Sequence, residues 1–199
     1  MTDLPDFLRQ SLAARTPVTR AEWEARPAAV LVPLYIDAGE WHVLFTLRTE
    51  HVETHKGQVS FPGGRVDPED HDRVDTALRE AEEEIGLRRE HVTVLGQLDP
   101  LLTVTQYHIT PVVGVFPWPY EFVLSLNELS VVFGAPLRWL ADPAHLETRL
   151  REPMVPGPPI PVYYFHFGGY TIWGATARML LNLLQVAQPL LGQPGPTKK

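Results

Sequence analysis

Cysteine is absent from this 199-residue chain, which excludes disulfides, thiolate metal sites and cysteine nucleophiles and favours neither redox compartment. No apolar run approaches the ~20 residues a helix needs to span a bilayer. The N-terminus MTDLPDFLRQ also lacks a basic stretch leading into an apolar one. A soluble, cytoplasmic protein is therefore expected. Positive charge is in deficit: 17 Lys and Arg against 24 Asp and Glu leave a formal net charge of −7. That balance argues against a broad nucleic-acid or membrane surface, since both reward basic side chains. Eight histidines are present, none paired at zinc-ligand spacing, and no serine triad is supported.

What is present fits one domain with a substantial core, because 44% of the residues are hydrophobic and 10% aromatic. The 20 prolines are spread among turns rather than gathered in a low-complexity block. The segment 61–87, FPGGRVDPEDHDRVDTALREAEEEIGL, organises the rest. Val74, Ala77, Leu78, Ala81 and Ile85 form one stripe at helical spacing, so an amphipathic helix is predicted, with Asp70 or Asp72 as N-cap and Gly86 as its end. Glu80, Glu83 and Glu84 stand at i, i+3 and i+4 on the flank of that stripe, where their carboxylates are expected to converge.

Those acids sit near the negative end of the helix dipole, where each costs roughly 0.3–1 kcal/mol. A hard divalent cation with oxygen ligands would convert the repulsion into binding. The competing reading is a solvated acidic face. Arg79, four residues before Glu83, is placed to fix that carboxylate. Glu82 points elsewhere.

Arg79-Glu80-Ala81-Glu82-Glu83-Glu84-Ile85-Gly86-Leu87 resembles the second half of the Nudix box, Arg-Glu-apolar-x-Glu-Glu-x-Gly-apolar, at every specified place. The first half departs from the pattern. Counting from Gly64, the family's first acid falls on Asp70 instead of Glu, and eight residues rather than seven separate it from Arg79. Upstream, Leu44-Phe45-Thr46-Leu47-Arg48-Thr49 followed by Gly57 and Phe61-Pro62-Gly63-Gly64 is similar to the motif that precedes the box in coenzyme A pyrophosphatases. Glu53 stands where that motif has a second Arg, and Lys56 or His55 offers a nearby cation.

The resemblance implies an α/β fold, a Nudix-like α/β/α sandwich around a mixed sheet. The domain is expected over 27–188, with a packed N-terminal extension over 1–26 and a disordered tail over 189–199. It also implies metal-dependent hydrolysis of a nucleoside diphosphate derivative. Glu80, Glu84 and Glu83 would ligate Mg²⁺ or Mn²⁺ together with a backbone carbonyl at Gly63 or Gly64. Glu83, braced by Arg79, would be a further ligand or the general base, and Arg48, Thr49, Lys56, Gly57 and Phe61 would bind substrate. Coenzyme A is the substrate it points to. ADP-ribose, a nucleotide sugar, NADH or a capped RNA is the alternative within the family, and a non-catalytic nucleotide-binding module is the alternative outside it. Glu128 is a candidate for the late acid that, in several members of the family, completes the metal set or acts as base.

Elsewhere, a hairpin is expected from 28–36 and 41–47, and strands over 92–98, 109–116 and 162–167. A helical stretch is expected to open at Asn127-Glu128-Leu129, with a short turn at Pro136 to Leu140 and a final helix over 175–186.

Overall fold

The computed structural model describes residues 3–16, 25–49, 57–152 and 157–192. The central element is β1 (Arg26–Asp37), eight of whose residues are buried in succession. Continuous burial means that both faces are covered, and the side chains divide by parity. Val30, Val32 and Leu34 enter one apolar cluster, while Ala29, Leu31 and Tyr35 enter a second on the opposite face. The sheet is thus the middle layer of three.

The expected hairpin forms with a tight connection at Ala38 and Gly39, both at positive φ, so that β1 pairs antiparallel with β2 (Glu40–Arg48) up to Asp37↔Glu40. Two short strands, β3 (Val59–Ser60) and β4 (Gly63–Arg65), pair with β2 and β1 respectively. Helix α2 (Arg73–Ile85) follows, then β5 (Thr93–Gln97), β6 (Leu101–Leu102) and β7 (Tyr107–Val115). β7 lies parallel to β1, which makes the sheet mixed, in the order β3-β2-β1-β7-β5.

One expectation fails after residue 126. The chain does not turn helical at Asn127-Glu128-Leu129; Leu129–Pro136 is a strand, β8, paired along β2. The β-branched and aromatic run Val131-Val132-Phe133 suits a pleated surface, and Phe133 lies opposite Phe45 with the rings stacked at 5.5 Å. The expected turn at 136–140 is α3 (Leu137–Ala141). A three-stranded sheet was not anticipated: β9 (Leu146–Arg151), β10 (Ile160–Phe167) and β11 (Tyr170–Trp173), in the order β11-β10-β9.

The last helix, α4, runs Gly174–Leu191, so residues 189–191 of the segment expected to be disordered are helical. At the N-terminus, Leu4, Leu8 and Leu12 of α1 (Leu4–Ala13) are buried and Phe7 is partly covered. β1 begins at Arg26, one residue inside the expected extension. Helices α1, α3 and α4 cover one face of the main sheet and α2 the other. No helix among the described residues is long and apolar enough to cross a membrane.

Candidate functional site

Helix α2 is held at both ends by local chemistry. Asp72 is its N-cap, accepting from the Val74 and Asp75 amides at 2.8 and 2.9 Å, and Gly86 closes it in the left-handed conformation at φ 67°. The predicted stripe faces the sheet, with Ala77, Ala81 and Ile85 fully buried. Glu84 is buried along with them.

The three glutamates lie at different depths. Residues 83 and 84 are about 100° apart on a helix, and here that separation sends Glu84 inward while Glu83 stays 59% exposed. Glu84 accepts the Gly63 amide at 3.1 Å through Oε2, and its Oε1 lies 3.7 Å from Arg48 Nη1. Glu80 lies against β4, where a Cβ added to Gly64 would sit 2.5 Å from its carboxylate. A side chain at residue 64 would therefore displace Glu80, a physical reason for glycine there. Gly63 is required for a different closeness, since its Cβ would meet the Ala29 carbonyl at 2.4 Å.

Arg79 does more than brace Glu83. Its Nε and Nη2 grip Asp70 Oδ1 and Oδ2 at 2.9 and 3.0 Å, while Nη1 donates to Glu80 at 2.9 Å and to Glu83 at 3.1 Å. Nη2 also donates to the Arg65 carbonyl. Asp70 accepts two further bonds, from the Thr76 hydroxyl and the Asp67 amide, both at 2.8 Å. The Arg79 guanidinium holds the Asp70 carboxyl well below the usual range. Sequence reasoning left the role of Asp70 open, because the extra residue before α2 hides its register with Arg79.

The electrostatics of the inner acids run the other way. Burial, with the charges of Glu80 and Glu128 adding to it, pushes Glu84 up to about 8 against the pull of the Gly63 amide and Arg48. Burial also raises Glu80, despite Arg79. Glu128 is brought here by backbone bonds that no local pattern announces. Ser125 N donates to Glu84 O at 2.9 Å, and Thr49 N to Glu128 O at 2.8 Å. The loop before β8 is thereby tied to both the C-terminal end of α2 and the end of β2.

Of the residues expected to bind substrate, Arg48 is at this site. Its Nε is buried with no hydrogen-bond partner among the described residues. Thr49 is buried and donates through Oγ1 to the Asn127 carbonyl at 3.3 Å, so it anchors the loop that carries Glu128. Gly57 is exposed at φ 61°, in the turn before β3. Phe61 differs from the expectation: it is 2% exposed and stacked on Phe45 at 5.1 Å, so its ring is spent on the core. Lys56, His55 and Glu53 lie outside the described residues.

All the side-chain donors here are carboxylate oxygens, the set that suits a hard cation. Among the described residues no three acidic or histidine side chains stand as a ready-made ligand group. Two under-compensated glutamates still fit Mg²⁺, which is commonly held by one or two carboxylates with water and substrate phosphate completing its shell.

The family profile described as the NUDIX domain matches residues 25–147, a span that contains β1, α2 and Glu128. The chain belongs to the Nudix hydrolase family. It is similar to the uncharacterized Nudix hydrolase NudL of Escherichia coli K12, at 37% identity over 181 residues covering 90% of this chain and 92% of that one. NudL of Escherichia fergusonii matches equally. Among solved structures, a MutT/nudix family protein from Enterococcus faecalis has the same fold, with a TM-score of 0.52 over 96% of this chain and 71% of that one at 15% identity. The protein is a Nudix pyrophosphohydrolase acting on a nucleoside diphosphate derivative, and Nudix hydrolases generally use divalent ions such as Mg²⁺ or Mn²⁺.

Proposed function

We propose that this Nudix enzyme hydrolyses the pyrophosphate bond of coenzyme A or a derivative, giving phosphopantetheine and adenosine 3′,5′-bisphosphate. The observation that carries the reading is Arg48. It is the first arginine of the coenzyme A-type motif, it ends β2 within 3.7 Å of Glu84, and it has a buried Nε–H with no partner among the described residues. A phosphate oxygen of the substrate satisfies that donor and its charge together.

In this reading Glu80 and Glu84 hold Mg²⁺ or Mn²⁺, with a backbone carbonyl at Gly63 or Gly64 as a further oxygen. The cation supplies charge neutralisation of the diphosphate and a lowered pKa for water. Arg79 keeps Glu80 and Glu83 oriented through the bonds already described, and Glu83, the most exposed of the three, is free to ligate or to take a proton from water. Glu128 adds a fourth carboxylate facing Glu80 and Glu84, and Thr49 fixes the loop on which it rides. The resemblance to the coenzyme A-type motif offers Lys56 as a second cation for the anionic end of the substrate.

Glu53, a reversed charge where the coenzyme A motif has its second arginine, favours one further reading: a different nucleoside diphosphate derivative such as ADP-ribose or NADH. Turnover of coenzyme A, ADP-ribose, NADH and a nucleoside triphosphate, compared with Mg²⁺ and with Mn²⁺, separates the two. Coenzyme A is expected to have the highest kcat/KM. Faster turnover of ADP-ribose would overturn the substrate and leave the reaction class standing.

A further inference from the structure

The three-stranded sheet ends in an open edge. β9 pairs with β10 on one side, and among the described residues no strand pairs with its other side. Arg149 is exposed and Leu150 is 71% exposed. An unpaired strand edge is a template for another chain, and proteins commonly guard such edges with charge. The charges here are of opposite sign two residues apart: Glu147 and Arg149 share one face, and Leu146, Thr148 and Leu150 share the other.

That pattern is complementary to itself. A two-fold axis normal to a sheet keeps every side chain on its own face and sets one residue opposite its own copy. With Thr148 on the axis, Glu147 faces the second copy's Arg149, Arg149 faces Glu147, and Leu146 and Leu150 face each other. Both charge pairs are then attractive, and threonine opposite threonine is a favourable cross-strand pair. With Arg149 on the axis, arginine meets arginine and each leucine at 150 meets a threonine, while Glu147 faces Arg151. With Glu147 on the axis, glutamate meets glutamate. Of these three arrangements only the one with Thr148 on the axis sets no like charges opposite each other and places leucine opposite leucine.

We infer that the outer edge of β9 pairs antiparallel with the same edge of a second copy of this chain, Thr148 opposite Thr148, joining two three-stranded sheets into one of six. Leu150 would leave water to pack beside the second copy's Leu146, a residue already seated against the main apolar cluster. The present partners of Glu147 do not oppose the exchange. Its bonds to Arg149 at 2.6 and 3.0 Å and to His166 at 3.0 Å are between exposed side chains, where such pairs contribute little.

Sedimentation equilibrium of the full chain tests both the contact and its register. The wild-type protein is expected to show a concentration-dependent dimer. Arg149→Glu sets glutamate against glutamate at both ends of the contact, and Glu147→Arg sets arginine against arginine, so each alone should raise the dimer Kd about tenfold or more. An equimolar mixture of the two variants restores both attractive pairs in a heterodimer and should regain wild-type association. Monomeric wild-type protein at the highest workable concentration overturns the proposal. So does a dimer indifferent to either single variant, and so does a mixture that stays monomeric. The recovery in the mixture also excludes misfolding as the reason for loss in the single variants.

Discussion

Asp70 and Glu84 flank the same helix and meet opposite fates. Asp70, its side chain 3% exposed, receives both arms of the Arg79 guanidinium, a hydroxyl and a backbone amide. Glu84, its side chain 6% exposed, receives one amide and has an arginine at 3.7 Å. Depth and compensation together separate them: the Arg79 guanidinium holds down Asp70, which lies close to the surface, whereas deep burial outweighs the few partners of Glu84 and lifts it to about 8. A fully satisfied buried acid is structural cement, whereas an under-satisfied one beside two like charges has chemistry left to perform.

The sharpest way to break this contrast is Glu84→Gln. Loss of a group that merely supports a metal ligand lowers affinity or activity by about 10–100-fold, and loss of Glu84, if it is a ligand as proposed, should lower kcat by more than that. Stability should respond in the other direction. The folded-state pKa of Glu84 lies above the ordinary carboxyl value, so the stability tied to its proton is fully present below about pH 4.3 and is lost as pH rises towards 8. In chelator, wild-type thermal stability should decline across that window, and Glu84→Gln should flatten the decline. Mg²⁺ should return stability to the wild type at pH 8 and not to the variant. Thermal melts at pH 5 to 9, with and without metal, read all three. A variant that unfolds in chelator at every pH would make Glu84 structural and erase the distinction from Asp70.

How much of this was legible in the sequence follows the range of the interactions. The α2 stripe, its Gly86 stop and the Arg79–Glu83 pair rest on spacing within a few residues, and the structure contains all three. The spacing also suggested that three glutamates converge, but it could not rank their depth, and depth is what separates Glu84 from Glu83. Depth comes from β4, two glycines whose importance lies in the backbone of β1 and the carboxylate of Glu80. Glu128, more than forty residues beyond the end of α2, arrives through the amides of Thr49 and Ser125, the first of them placed by the pairing of β8 on β2. Reading a helix at 127–129 missed that strand, although Val131-Val132-Phe133 carried a β signal of its own. The self-complementary edge of β9 was written in five consecutive residues, yet it gains meaning only once the sheet shows which edge is open.

A smaller effect sharpens the Asp70 side. Asp70→Asn keeps the shape of the side chain and removes the charge that Arg79 grips, and hydrogen bonds to charged groups contribute about 1.5–3 kcal/mol. A stability loss of about 2 kcal/mol at pH 7 is therefore expected in denaturant unfolding. The sign with pH is opposite to that of Glu84. Because the folded-state pKa of Asp70 is depressed, its contribution is present above about pH 3.9 and is lost as pH falls through the lower folded value, so wild type and variant should draw together in acid. Some activity should go as well, since a slackened Arg79 holds Glu80 and Glu83 less firmly.

The smallest effect is the control that both comparisons need. Asp72 is an acid on the same helix with an ordinary duty, accepting the Val74 and Asp75 amides at the N-terminus, where the dipole welcomes negative charge. Asp72→Ala should cost about 1 kcal/mol, the usual value of an N-cap. The loss should be insensitive to Mg²⁺, and kcat should stay near wild type, because fraying the first turn leaves the Arg79 network anchored through Asp70. If chemical denaturation instead shows a loss as large as that of Asp70→Asn, or kcat falls with it, the carboxylates of α2 act as one coupled unit. The division between a structural acid at the helix entry and a chemical one near its end would then be wrong.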